Sequence, residues 1–180
     1  MVGDADHRVM IDATLAHSRG RARCVVLDTD FQEGQGFLEL WNAWRNDASS
    51  CYRLHVIAVL AARLTREQLL NATPLDAHAD LLQQLTDAWP SLTPGLVSMS
   101  FEDNRLQLLL CHGDADRVLS ELVASVDVFW VRQHSETIRP AAHALRRAKA
   151  LARLAADGAM LMWPSRSTES PATAEPAWES

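Results

Sequence analysis

The stretch that decides the fold runs from Cys24 to Arg45 and reads CVVLDTDFQEGQGFLELWNAWR. Cys24 to Leu27 is an apolar, β-branched run of strand length that stops at Asp28 and Thr29. From Phe37 onward Phe37, Leu40, Trp41 and Trp44 recur at helical spacing, so the stretch predicts strand, tight turn, helix. That is the opening unit of a nucleotide-binding α/β fold, in which the turn lies against the ligand and the helix N-terminus faces it. Glycines in such a turn let the backbone approach closely. Here the turn holds only Gly34 and Gly36, while Asp30, Gln32 and Glu33 fill the earlier positions, two of them acidic and none small. The loop has the architecture of a cofactor turn without its chemistry.

On either side the chain continues in kind. Residues 1–20 show no clear period, and the apolar Val9 to Ile11 predicts a short edge strand. Leu54 to Leu60 predicts a second buried strand, and Thr65 with Gln68 forms a capping-box pattern that starts a helix near Arg66 and ends by Pro74. Leu75 to Trp89 predicts another helix, closed by Pro90. Leu96 to Phe101 and Arg105 to Cys111 read as a hairpin in which Asn104 takes positive φ. Asp114 is placed to cap a helix from Ala115 to Val123, Val126 to Val131 is a further strand, Pro140 to Leu154 a helix and Gly158 to Trp163 a last strand. Strands alternating with helices predict a mainly parallel sheet covered on both faces. From Pro164 the residues are Ser, Thr, Pro, Glu and Ala with almost nothing to bury, so the expectation is one domain over residues 1–163 and a disordered tail or linker over 164–180.

At 180 residues, 48% of them hydrophobic, the chain supports one ordinary core. It has no stretch of membrane-spanning length and no signal-peptide core, which predicts a soluble, cytoplasmic protein with no membrane partner. Cys24, Cys51 and Cys111 form no CxxC pair and read as core thiols; the histidines are scattered, so no metal site is expected. A net charge of −6 repels nucleic acid as a whole, and any RNA contact must come from a local basic patch. Arg139, Arg146, Lys149 and Arg153 give the late helix a basic face, which reads either as that patch or as a solvated face with cations toward a helix C-terminus. Trp41, Trp44, Trp89 and Trp130 sit in apolar patterns and read as core rather than base-stacking platforms.

These motifs, in this order, resemble the methyltransferase domain of the bifunctional proteins that complete 5-methylaminomethyl-2-thiouridine at the tRNA wobble position. The family's first loop looks like ETGFGTGLNFL followed by a WQAWR-like helix end; here the residues are DTDFQEGQGFL and LWNAWR. Its RLHYISVEKHPLTREDL segment is similar to RLHVIAVLAARLTREQL from Arg53 to Leu69. A hairpin, a GDA tripeptide and an ALARLAAPGATLATW stretch resemble FEDNRLQLLLCHGDA and ALARLAADGAMLMW. The similarity spans about Arg23 to Trp163. It implies an α/β chain with a three-layer, Rossmann-like class I S-adenosylmethionine-dependent methyltransferase fold, here in a truncated form that lacks the final strand pair and leaves a sheet edge open. It also implies S-adenosylmethionine as cofactor and, as partners, tRNA or an FAD-dependent oxidoreductase domain.

The departures fall on the cofactor contacts. The family's first two loop glycines align with Asp30 and Gln32, the acid that holds the ribose hydroxyls aligns with Leu60, and the acceptor-side DGFAP segment aligns with Arg132, Gln133, His134, Ser135 and Glu136. By resemblance, the vestigial cofactor-binding residues are Asp28, Gly34 and Asp114, the last lying by the adenine in the family. Each has a folding role as well: Asp28 closes a strand, Gly34 permits a turn, Asp114 caps a helix. No catalytic residue is assigned. The reading that follows is a degenerate, non-catalytic pseudoenzyme acting as a binding or scaffold module in tRNA modification. Two others stand beside it: an active methyltransferase with a rearranged site, and a protein-interaction domain using the open sheet edge, with homo-oligomers as one outcome.

Overall fold

The strand predicted at Cys24 is β1 (Arg23–Asp28), and it lies in the middle of the sheet, paired in parallel with β2 (Arg53–Leu60) on one side and β5 (Val126–Trp130) on the other. The computed structural model describes residues 4–72, 78–91, 93–132 and 141–163; the expected tail from Pro164, Leu75 and the segment from Gln133 to Pro140 lie outside these residues. Outward from this centre, β4 (Leu106–His112) is parallel to β2, β3 (Gly95–Phe101) folds back antiparallel on β4, and β6 (Ala155–Met162) is parallel to β5. The order β3-β4-β2-β1-β5-β6 makes a six-stranded, mostly parallel α/β sheet of Rossmann-like form. Among the described residues β6 pairs with β5 alone, so it forms one edge.

The helices are α1 (Asp4–Ser18), α2 (Gln35–Asn46), α3 (Arg66–Ala72), α4 (Ala79–Ala88), α5 (Ala115–Glu121) and α6 (Ala141–Leu154). The first four bury Met10, Leu15, Phe37, Trp41, Leu69 and Leu82 against one face of the sheet. The other face receives α5 and α6 through Leu119 and Leu154, which pack on Val25, Leu27, Ile57 and Phe129. This second cover is partial. On that side of the β3-β4 wing Ser98 and Ser100 are exposed and Gln107 and Leu109 are half-buried, so the expectation of a sheet covered on both faces holds only over its centre.

Local signals behave as their chemistry dictates. The Thr65 N–H donates to Gln68 Oε1 at 2.8 Å while the Gln68 N–H donates to Thr65 Oγ1 at 3.2 Å, a closed capping box at the start of α3. Asn104 has φ 64°, and Glu102 and Asp103 share the left-handed region, so the whole turn is of this kind.

One expectation is overturned. Val9 to Ile11 is no edge strand but part of α1. The buried positions His7, Met10, Ile11, Thr14, Leu15 and Ser18 follow a helical spacing, with Val9 turned outward at 68% exposure. Half of that stripe is polar, which erased the hydrophobic period. Thr14 donates to Met10 O at 2.7 Å and Ser18 to Leu15 O at 2.8 Å, so the buried hydroxyls are satisfied within the helix.

Candidate functional site

The parallel strands end together, and their C-terminal ends bring Asp28, Leu60, His112 and Trp130 to one side of the sheet. In α/β sheets of this kind that is where ligands bind. Asp28, Gly34 and Asp114 all lie along this edge, on β1, on the turn after it and directly after β4.

The turn is closed on itself. The Asp30 N–H donates to Asp28 Oδ1 at 3.0 Å, Gln32 Nε2 donates to Asp30 Oδ2 at 3.0 Å, and the Phe31 N–H crosses to Val59 O at 2.8 Å. Gln32 takes φ 51°, in the left-handed region that favours glycine. The Phe31 ring is buried, stacked on Trp89 at 5.9 Å and tilted against Phe37 at 6.2 Å. Gly34, the N-cap of α2, sits at φ 81°, and a Cβ there would come within 2.9 Å of the Phe31 ring. Folding therefore accounts for Gly34 without a ligand. The same is true of Asp114, whose carboxylate accepts the Arg117 N–H at 3.0 Å and caps α5.

Arg132 occupies the centre of this edge. It is 3% exposed, and its Nε lies 3.2 Å from Asp28 Oδ1. Its Nη1 lies 2.7 Å from His7 Nε2 on α1, and the guanidinium rides over the Trp130 ring at 5.7 Å. Since arginine can only donate, His7 Nε2 accepts in this arrangement. Nη2 sits 2.5 Å from the place a Cβ on Gly36 would take, so any larger residue there must displace the guanidinium. The backbone is drawn in as well: the Arg132 N–H donates to Thr29 Oγ1 at 3.0 Å, and Thr29 donates from both its N–H and its hydroxyl to Trp130 O. Trp130 Nε1 in turn donates to Thr14 Oγ1 at 3.0 Å and fastens α1 over the strand ends. Burial pushes the Asp28 carboxyl up to about 6, against the pull of the Arg132 charge and the Asp30 N–H, which both lower it.

These residues do not fit S-adenosylmethionine. The guanidinium fills the space between the ends of β1 and β5 and the first turn of α2, Asp30 and Gln32 stand where close backbone approach is needed, and Leu60 is buried and can accept nothing. The sequence exposed the charge at Arg132 and the surviving acid at Asp28 but not that the two pair. The available signal was their placement at the ends of neighbouring apolar runs. His7 and α1 were missed altogether. The remaining aligned positions, Gln133 to Glu136, lie outside the described residues.

One residue of the basic face of α6, Arg153, is engaged in folding, as is its neighbour Arg147. Arg153 donates to Leu119 O and Ser120 O, each at 3.0 Å, and so binds the last carbonyls of α5, while Arg147 pairs with Asp116 at 2.9 Å. Arg146 and Lys149 remain exposed, and Arg139 lies outside the described residues. The three cysteines are buried and free. The neighbouring Cys24 pulls the Cys51 thiol down to about 7, while Cys51 and burial together push the Cys24 thiol up. Among the described residues no cluster of His, Cys, Asp and Glu could hold a metal, and no helix is long and apolar enough to cross a membrane.

No family model matches the chain. Among curated proteins it is similar to the tRNA 5-methylaminomethyl-2-thiouridine biosynthesis bifunctional protein MnmC of Methylibium petroleiphilum, 39% identical over 155 residues that cover 85% of this chain and 24% of the relative. The protein of the same name from Burkholderia ambifaria is 38% identical over 152 residues, covering 81% of this chain and 23% of its own length. The chain thus spans about a quarter of the curated relatives it matches. A solved structure of MNMC2 from Aquifex aeolicus overlaps 71% of this chain and 36% of its own at 17% identity and a TM-score of 0.46.

Proposed function

We propose that this chain, a homologue of the methyltransferase portion of the bifunctional MnmC proteins, is a non-catalytic methyltransferase-fold module that serves tRNA wobble-uridine modification as a binding or scaffold element. The observation that supports the reading is the buried Asp28–Arg132 pair, whose guanidinium sits at the strand ends beside the first turn of α2, where the resemblance implies the cofactor. Two further losses act on other parts of the ligand. Asp30 and Gln32 obstruct the methionine end, and Leu60 leaves the ribose hydroxyls without an acceptor, at about 1–3 kcal/mol. With each tenfold in affinity worth about 1.4 kcal/mol, the sum removes useful binding. Calorimetry with S-adenosylmethionine is the direct test. No heat of binding is expected, and micromolar binding by the unaltered chain overturns the reading in favour of an active enzyme with a rearranged site.

In this role the module works in the cytoplasm beside tRNA or an FAD-dependent oxidoreductase partner, the second activity that the family's architecture joins to this fold. The edge at β6 supports a partner contact, because its backbone groups face outward and Leu161 and Trp163 are exposed beside it. Light scattering over a concentration series should show self-association of the isolated chain, relieved by the partner. A clean monomer at high concentration counts against use of this edge.

A further inference from the structure

The face of the sheet that α5 and α6 leave open is polar around the starts of β1 and β2, with Leu96 exposed and Leu109 half-buried farther along β3 and β4, and it carries positive charge that no carboxylate among the described residues offsets. Arg23 on β1 and Arg53 on β2 are in register on parallel strands, so their side chains leave the sheet on the same face, and both are exposed. Like charges set directly opposite one another cost stability. Among the described residues no carboxylate pairs with either, the nearby Asp127 being held by Arg21 at 3.1 Å and by the Val25 N–H at 2.8 Å. Beside them His55 is in register with Gln107, and Gln107 with Ser100, so one polar row crosses β2, β4 and β3. The field of the two arginines reaches that row: His55 is held below the usual imidazole range by burial first and then by the charges of Arg23 and Arg53.

We infer that this open face is a contact surface for the phosphodiester backbone of an RNA, with Arg23 and Arg53 pairing phosphates and Gln107 and Ser100 donating to neighbouring oxygens. The inference rests on the tRNA-modification reading above and moves the RNA contact from α6 to the opposite ends of the strands from the Arg132 site. Charge complementarity selects the occupant: two free guanidiniums in register call for an anion that repeats along a chain. Among the described residues no tryptophan, tyrosine or phenylalanine occupies the exposed strand positions of this face, and the exposed Tyr52 before Arg53 is covered by the Arg105 guanidinium, so binding is to backbone and indifferent to sequence.

The test is filter binding of an unmodified tRNA transcript to the full chain over a series of salt concentrations. The double variant Arg23→Ala/Arg53→Ala should bind about tenfold more weakly, with the slope of log K against log salt shallower by about 1.4, or roughly 0.7 for each phosphate no longer neutralised. Arg146→Ala/Lys149→Ala on α6 should bind as the parent does. Arg23→Glu sets an opposite charge against Arg53 and should melt no lower than the parent while binding RNA more weakly, which separates weakened phosphate pairing from a damaged fold. The inference is overturned if the double variant binds like the parent, if the weakening follows the α6 pair, or if the parent binds no tRNA at all. Cofactor binding does not involve these arginines, so a failure of the non-catalytic reading appears in the calorimetry alone.

Discussion

Arg132 Nε and Asp28 Oδ1 lie 3.2 Å apart in the interior, each residue only 3% exposed, on chain segments that leave adjacent parallel strands. The pair is the most buried charge on the sheet edge, and its acid makes stability depend on pH. Asp28 titrates near 6 in the folded chain against 3.8 for the ordinary carboxyl. Between those values the folded chain keeps a proton that the unfolded chain has lost, so stability rises as pH falls through about 6 and levels off below about 4.

Arg132→Met should therefore be costly, and most costly at neutral pH. It leaves the Asp28 carboxylate buried and unpaired, at about 3–5 kcal/mol, and raises the Asp28 pKa further because the lowering charge is gone. Urea denaturation from pH 5 to 8 should show the deficit shrinking toward the acid end as Asp28 takes up its proton. A deficit that does not change with pH would mean the pair carries no charge of consequence.

Gly36→Ala should destabilise the chain by about 1–3 kcal/mol, since the new methyl lands 2.5 Å from Arg132 Nη2 and 3.4 Å from the Trp130 ring. With Arg132→Met in the background most of that cost should vanish. The double-mutant cycle gives the coupling directly, and additive losses would place the strain somewhere other than the guanidinium.

Restoring the family's residues at Asp30, Gln32 and Leu60 should not restore the cofactor. Leu60 is 4% exposed within the main apolar cluster, so Leu60→Glu alone should cost at least about 2 kcal/mol. The triple variant Asp30→Gly, Gln32→Gly, Leu60→Glu keeps Arg132 in place and should show no methyl transfer and at most weak cofactor binding. Adding Arg132→Asp to these three is the change that calorimetry should register.

The thiols should be silent in the folded chain. Cys24, Cys51 and Cys111 are all buried, so the low pKa of Cys51, about 7, meets no reagent. A chromogenic disulfide reagent should label all three only at the rate of unfolding, and rapid labelling of Cys51 alone would show that the loop before β2 opens locally.

Much of the fold is legible in the amino-acid sequence. The β-branched runs from Cys24 and Leu54, the capping box at Thr65 and Gln68 and the cap at Asp114 each rest on a local rule, and each is met in the fold. The site was half legible. Asp30 and Gln32 in the loop, Leu60 at the end of β2 and Arg132 after β5 stand out one by one, because each departs from the residue the resemblance implies there. Their meeting was not legible, since Asp28, Arg132 and His7 come together only through strand pairing and a helix whose buried stripe is half polar. A period made of His7, Thr14 and Ser18 leaves no hydrophobic trace, although the helix it marks is as firmly held as any.

The Phe31 turn changes what kind of object the strand ends form. A loop that admits a ligand must breathe faster than the ligand leaves. Here the Phe31 N–H is spent on Val59, its ring lies between Phe37 and Trp89, and Gly34 fits against it. Opening that turn means taking apart the packing between α2, the end of α4 and β2. The turn is tied to that packing, so the Phe31 amide should exchange with solvent no faster than the sheet amides around it.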